Sequence, residues 1–238
     1  IKRARKKCAT LSTPTKKRLS VEPAVMAKQT TPAKFITLEG GEGAGKSTSR
    51  DFIERLLKQH QIPFITSREP GGTAIGEQLR TLLLTKADTP PVPSAELLMM
   101  FAARAQHLHE VIEPALARGV WVLCDRFTDA TYAYQGYGRG YDLEAIATLE
   151  RLVQQGRQPD LTLLFDIDPR VGIERARQRA ELDRFEEEAL SFFERVRNGY
   201  LQRAAMESRF AVIDAAGSIE DVQATLTETL RPIIEGSM

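Results

Sequence analysis

The 238-residue chain holds two cysteines, three histidines, one tryptophan and a single asparagine. Two cysteines, Cys8 and Cys124, in unrelated contexts exclude a disulfide framework. The three histidines, His60, His107 and His109, form no metal-ligand spacing and read as solvated helix surface. Long apolar runs are missing too. The longest, Leu97 to Ala103, is far short of the ~20 residues that cross a bilayer. The sole asparagine, Asn198, lies in Asn-Gly-Tyr-Leu, so the guanine-reading N-K-x-D of GTPase switches is absent. A strong charge bias is lacking as well, with a formal net charge of +1.

That near-neutral sum conceals an asymmetry. Residues 1–33 carry nine basic side chains against Glu22 alone, net +8, which leaves −7 on the remainder. With Pro14, Pro23 and Pro32, many Ser and Thr and no apolar period, this leader reads as disordered. It lacks the apolar core of a secretory signal. Met26 reads as a natural start, and a basic, acid-poor transit peptide is the alternative. The whole chain is 42% hydrophobic, and its body, 34–238, can bury a core of ordinary size.

Apolar runs alternate with helical periods along the body. Strands are expected at Phe35–Glu39, Pro63–Thr66, Val120–Cys124, Leu161–Asp166 and Phe210–Asp214. Helices are expected at Ser47–Gln59, at Gly76–Leu84 with Ile75, Leu79, Leu82 and Leu83 inward, and at Ser94–Arg118. Further helices are expected at Asp142–Gln155, from Pro169, around Leu190–Leu201 and from Ser218. Alternation of this kind implies an α/β, three-layer fold: a five-stranded parallel sheet with helices on both faces. Ligands of such sheets sit at the carboxyl ends of the strands.

At the first strand end, Gly40, Gly41, Glu42, Gly43, Ala44, Gly45, Lys46, Ser47 and Thr48 contain G-x-x-x-x-G-K-[ST] between a strand and a helix. Glycines let backbone N–H groups converge on phosphate oxygens, Lys46 reaches the β- and γ-phosphates, and the Ser47 hydroxyl suits Mg²⁺. ATP is therefore the expected partner, with Mg²⁺ as cofactor. Asp125, ending the third strand, suits the acidic residue that holds the ion through water. Arg68, Arg80, Arg104 and Arg126 follow strand ends or lie on nearby helices, a concentration suited to a second polyanion. A small phosphotransferase kinase fits these features. A kinase for another small acceptor and a nucleic-acid module driven by the leader are the competing readings, and nothing in the body points to nucleic acid.

Phe35-Ile-Thr-Leu-Glu-Gly-Gly-Glu-Gly-Ala-Gly-Lys-Ser-Thr48, Arg68-Glu-Pro-Gly-Gly-Thr73, Asp125-Arg-Phe, Ala133-Tyr-Gln-Gly-Tyr-Gly-Arg-Gly140 and Glu181-Leu-Asp-Arg-Phe-Glu186 together resemble the bacterial thymidylate kinases. The resemblance implies phosphorylation of dTMP to dTDP with ATP and Mg²⁺ in a homodimer; the short apolar runs argue against membrane contact, and the two cysteines fit a reducing cytoplasm. It implies a dTMP site built from Glu69, Arg80, Met100, Phe101, Arg104, Arg126, Thr131, Tyr134 and Gln135. Within it, Arg80 and Arg126 would take the acceptor phosphate. Arg104, Gln135 and Thr131 would read the thymine, and Tyr134 would lie where a 2′-OH would clash. Glu42 matches an acidic position near the sugar 3′-OH and the metal. Met100 stands where the family has a stacking Phe, with Phe101 beside it as the other candidate to cover the base. One subtype of the family carries a catalytic arginine at the position of Gly43. The other supplies it from a lid, here about 175–188, with Arg179 and Arg184 as candidates beside Arg175 and Arg177. Lys46, Arg126 and one lid arginine would then spread the transition-state charge.

Overall fold

The computed structural model describes residues 32–178, 184–185 and 188–236. The expected leader therefore falls almost wholly outside the described residues, as does Arg179. Among the described residues, five parallel strands form one sheet in the order β2-β3-β1-β4-β5. They are β1 (Phe35–Gly40), β2 (Phe64–Arg68), β3 (Trp121–Asp125), β4 (Leu161–Asp166) and β5 (Phe210–Asp214). β1 is central and buried along its whole length, as expected of a strand covered on both faces.

The two faces are visible in the pleat. Ile36 and Leu38 of β1 join Leu163 and Phe165 of β4 against α1 (Lys46–Gln59) and the last helix, α9 (Ile219–Glu235). Phe35, Val122 and Cys124 point the other way, into a second cluster with Leu108, Ile112 and Ala115. A third cluster packs α8 (Leu190–Met206) against Leu164, Ala133 and Tyr134. Ser218 caps α9 in a reciprocal capping box with Asp221, which fixes that start where the sequence places it.

The expected elements are refined at three places. The helix expected over Ser94–Arg118 is present, running as α3 (Pro93–His107), a π-helical turn at Leu108–Ile112, and α4 (Glu113–Ala117). Pro114 has no N–H to give to the ladder, so the helix widens and restarts around it. On α2 (Ala74–Leu84), Leu83 is buried, but Ile75 and Leu82 face outward because the helix packs mainly on α3. Finally, Thr128–Gly138 is helical, as α5 (Thr128–Thr131) followed by a π-helical turn at Tyr132–Gly138. Nearly every residue there is buried, so it shows no amphipathic period to read. The remaining helices are α6 (Leu143–Gln154) and α7 (Pro169–Arg177).

The buried face of α1 sets a stability contrast. Ile53 is 0% exposed whereas Met206, at the end of α8, is 74% exposed. Urea unfolding of Ile53→Val should show a loss of about 0.5–1.5 kcal/mol, and of Ile53→Ala about 2–5 kcal/mol. Met206→Ala should stay within about 0.5 kcal/mol of the parent.

Candidate active site

β1 delivers the chain into the phosphate loop, and Gly45 turns it into α1 from the left-handed region at φ 81°. Gly43 sits at φ 66°, and a Cβ there would lie 1.9 Å from the carbonyl oxygen of Gly172 on α7. A Cβ on Gly172 would in turn lie 2.3 Å from the Glu42 carbonyl oxygen. The loop and α7 thus meet backbone to backbone, and an arginine at position 43 has no room. Lys46 Nζ donates to the carbonyls of Gly40 and Gly41 at 3.0 and 2.8 Å, which holds the ammonium across the loop mouth. Burial, together with the positive Arg126, pulls its pKa below the ordinary lysine range. Ser47 and Thr48 lie exposed in the first turn of α1.

The loop opens onto a cleft of about 400 Å³ whose wall includes Glu42, Gly45, Lys46 and Ser47. Arg68, Glu69, Arg80, Met100, Arg104, Asp125, Arg126, Thr131, Tyr134 and Gln135 line the same cleft, so most of the residues expected of the site come together. Arg126 has a left-handed backbone, φ 67°, uncommon for a residue with a side chain. Its Nη2 donates to Glu42 Oε1 at 2.6 Å, and the guanidinium lies 4.7 Å from the centre of the Tyr134 ring. The Tyr134 hydroxyl donates to that same Glu42 oxygen at 2.7 Å. Glu42 therefore joins the phosphate loop to the wall that carries Arg126 and Tyr134.

At the far end, Arg104 is fully buried between the rings of Phe101 and Phe127, 4.8 and 5.1 Å from their centres. Nε donates to Glu69 Oε2 at 2.8 Å and Nη2 to Thr131 Oγ1 at 3.0 Å, while Nη1 is buried with no protein partner. An orphaned donor at a cleft wall is a built-in demand for a ligand acceptor. Met100 lines the cleft; Phe101 turns into the core with Leu97, Tyr132 and Ile146. Arg80 Nη1 donates to the Pro70 carbonyl at 2.9 Å.

His107 corrects the sequence reading. Far from being solvated, it is fully buried, with Nδ1 donating to Glu69 Oε1 at 2.9 Å and Nε2 meeting Ser67 Oγ at 2.6 Å. It braces the carboxylate that braces Arg104. His60 and His109 are exposed as expected. Glu39 and Asp129, both buried, escaped sequence reasoning altogether. Glu39 accepts from the Phe127 amide at 2.6 Å and from the Tyr200 hydroxyl at 2.8 Å. Burial, and then Asp129, push its pKa up to about 8. Asp129 is clasped by Arg203 and Arg209. A strand-end Glu before a phosphate loop was the available signal for Glu39; Asp129 had none.

The lid candidates separate. Arg184 is not brought to the phosphate loop: Nη2 donates to Glu96 Oε2 at 2.6 Å and Nε to the Leu83 carbonyl at 2.8 Å. Arg175 reaches the Ala215 carbonyl instead, at 3.2 Å. Arg179 lies outside the described residues. Phe185 closes over the cleft, edge-on to Tyr134 at 6.2 Å. For a hard divalent cation, Asp125 Oδ1 is buried with no partner and shares the cleft wall with Ser47. Among the described residues no group of three or more His, Cys, Asp or Glu could hold a metal alone. Such a cation would therefore be completed by phosphate oxygens and water.

A phosphate loop facing an arginine-lined cleft across the end of a parallel sheet defines a nucleotide-dependent phosphotransferase of the P-loop kinase class. The family model described as thymidylate kinase matches residues 38–226. A thymidylate kinase of Teredinibacter turnerae is 58% identical over 202 residues, covering 84% of this chain and 98% of the relative. Thymidylate kinases of Pseudomonas putida and Pseudomonas syringae pv. tomato are 56% and 55% identical, each over 84% of this chain and 96% of the relative. The chain belongs to the thymidylate kinase family.

The raised pKa of Glu39 has a sign that can be measured. Its carboxyl stays protonated in the folded protein up to about pH 8, whereas the unfolded chain ionises near 4.5. The folded state then holds more protons across that window, so the stabilising contribution present below the lower value is lost as pH rises through it. Unfolding free energies measured from pH 5 to 8 should fall more steeply in the parent than in Glu39→Gln. Equal slopes would contradict the assignment.

Proposed function

We propose that the chain transfers the γ-phosphoryl group of ATP to the phosphate of dTMP, giving dTDP and ADP. The observation that carries this reading is the opposition of the Lys46 loop to a closed acceptor wall with an unpartnered guanidinium donor at its base end. A phosphate oxygen of dTMP attacks the γ-phosphorus in line. The bond from that phosphorus to the β,γ-bridging oxygen breaks, and ADP leaves. A monoester phosphate is already nucleophilic near neutral pH, so no strong general base is needed. Arg126 exchanges Glu42 for the acceptor phosphate, joined by Arg80, while Lys46 follows the charge moving onto the leaving β-phosphate.

At the base, Arg104 Nη1 donates to a thymine carbonyl, Gln135 and Thr131 border the ring edge, and Met100 covers its face by dispersion contact. Tyr134, fixed by Glu42, occupies the volume of a ribose 2′-OH. Mg²⁺, held by Ser47 and, through water, by Asp125, would neutralise the β- and γ-phosphate charge. The lid arginine in this scheme is Arg179, because Arg184 is engaged by Glu96. Closure of the lid excludes water and limits ATP hydrolysis.

We also read the chain as a homodimer and as cytoplasmic. The outward Leu82 on α2 and Leu98 on α3 support the first. The buried free thiol of Cys124 is in keeping with the second. No helix among the described residues is long and apolar enough to cross a membrane.

ATP consumption with dTMP, dUMP, AMP and CMP tests the acceptor. A clear preference for dTMP is expected, and a preference for AMP or CMP would overturn it. Lys46→Ala and Arg126→Ala should each lose at least roughly 10³-fold in kcat with the fold retained, as charge-stabilising groups at phosphoryl transfer do. Near-full turnover in either variant would refute its role.

A further inference from the structure

Glu96, on α3, is 1% exposed and does not line the cleft; with Arg139 and Arg184 it borders a separate hollow. A carboxylate this deep must be matched by donors. Three converge on it: Gln135 Nε2 at 2.9 Å and Arg139 Nε at 2.8 Å, both on Oε1, and Arg184 Nη2 at 2.6 Å on Oε2. Two of these partners have consequences beyond charge balance.

The first is Gln135. A primary amide is ambiguous, since one end donates and the other accepts. A carboxylate only accepts, so Glu96 forces the NH₂ end of Gln135 inward. The carbonyl end is then left for the cleft that Gln135 lines. A fixed acceptor there suits a base whose ring nitrogen carries a hydrogen and repels one whose ring nitrogen is a bare lone pair. Thymine and uracil carry N3–H; cytosine does not.

The second partner is Arg184. It arrives from the segment that also carries Phe185, whose ring lies 4.4 Å from the Arg184 guanidinium and roofs the cleft beside Tyr134. One carboxylate thus holds the base-reading amide through one oxygen and the cleft roof through the other.

We propose that Glu96 is a positioning residue: it sets the polarity of the Gln135 amide, and so the discrimination between N3–H bases and cytosine, while anchoring the Arg184–Phe185 roof over the same base. The inference rests on the reading of the cleft as a dTMP site, and it adds a specificity determinant that touches no substrate. Glu96→Gln is nearly isosteric but offers one acceptor and an NH₂ in place of two acceptors, so the Gln135 amide is free to invert.

The test is the ratio of kcat/KM for dTMP to that for dCMP, and of dTMP to dUMP, in the parent and in Glu96→Gln. The dTMP/dCMP ratio should fall by roughly tenfold or more, the scale on which a misplaced buried hydrogen-bonding group alters selectivity. The dTMP/dUMP ratio, which reports only the 5-methyl group, should stay within about twofold, and the loss should fall on KM for the acceptor with KM for ATP unchanged. A purely structural role would lower all three acceptors alike. A dTMP/dCMP ratio unchanged in the variant overturns the proposal. A parent enzyme that does not prefer dTMP to dCMP instead overturns the acceptor reading beneath it. Should Glu96→Gln fold poorly, Glu96→Gln/Arg139→Met removes the guanidinium that shares Oε1 with Gln135 and keeps the Arg184–Phe185 side chains, and the dTMP/dCMP ratio must still fall.

Discussion

Charge taken out of water must be matched, and this constraint shapes the whole cleft. A guanidinium that is always protonated cannot shed its charge when buried, and three in and around the cleft are each fixed by a carboxylate. Arg104 rests on Glu69, Arg126 on Glu42 and Arg184 on Glu96. Below them, Arg203 and Arg209 enclose Asp129. Each pairing ties together side chains that come from distant strands and helices, so the cleft wall is set by pairs within the protein. Preorganisation of this kind lets electrostatic stabilisation act without reorganisation during the reaction.

The backbone supplies the complementary rigidity. Parallel strands end at one edge, and β1 and β3 release Glu39, the phosphate loop, Asp125 and Arg126 side by side, with Leu38 in register with Asp125. The contact between Gly43 and Gly172 then ties the loop to α7. Phosphate loop, arginine-bearing cleft wall and α7 are therefore parts of one packed edge. The strained Arg126 backbone is held there by the hydrogen bond its N–H donates to the Leu38 carbonyl, at 2.9 Å, and by its side-chain partners.

Much of this was legible in the sequence because its signals are local. The β4 segment Leu161–Asp166 stands where its apolar run places it, and α9 begins at the Ser218 cap. The phosphate loop needed only its own eight residues and the elements on either side. What escaped depends on partners far along the chain. Glu39 meets Tyr200 across 161 positions, and Glu96 meets Arg184 across 88. No window of sequence contains both members of such a pair, so His107 read as surface and the Glu96–Arg184 pair went unread. The choice between Met100 and Phe101 was likewise open until the rotation of α3 turned one to the cleft and the other to the core. The Thr128–Gly138 segment lacked a period because burial on all sides erases one.

On the proposed reading, Arg126 and Arg80 await an acceptor phosphate, and that is the claim on which the rest of the mechanism stands. Calorimetric titration of dTMP and of thymidine into the full chain isolates it, because the two ligands differ only in the phosphate. The expected result is binding of dTMP tighter by at least roughly tenfold, the scale of a charge-assisted hydrogen bond to a phosphate, with the difference shrinking as salt is raised. Equal affinities for the two ligands would contradict it.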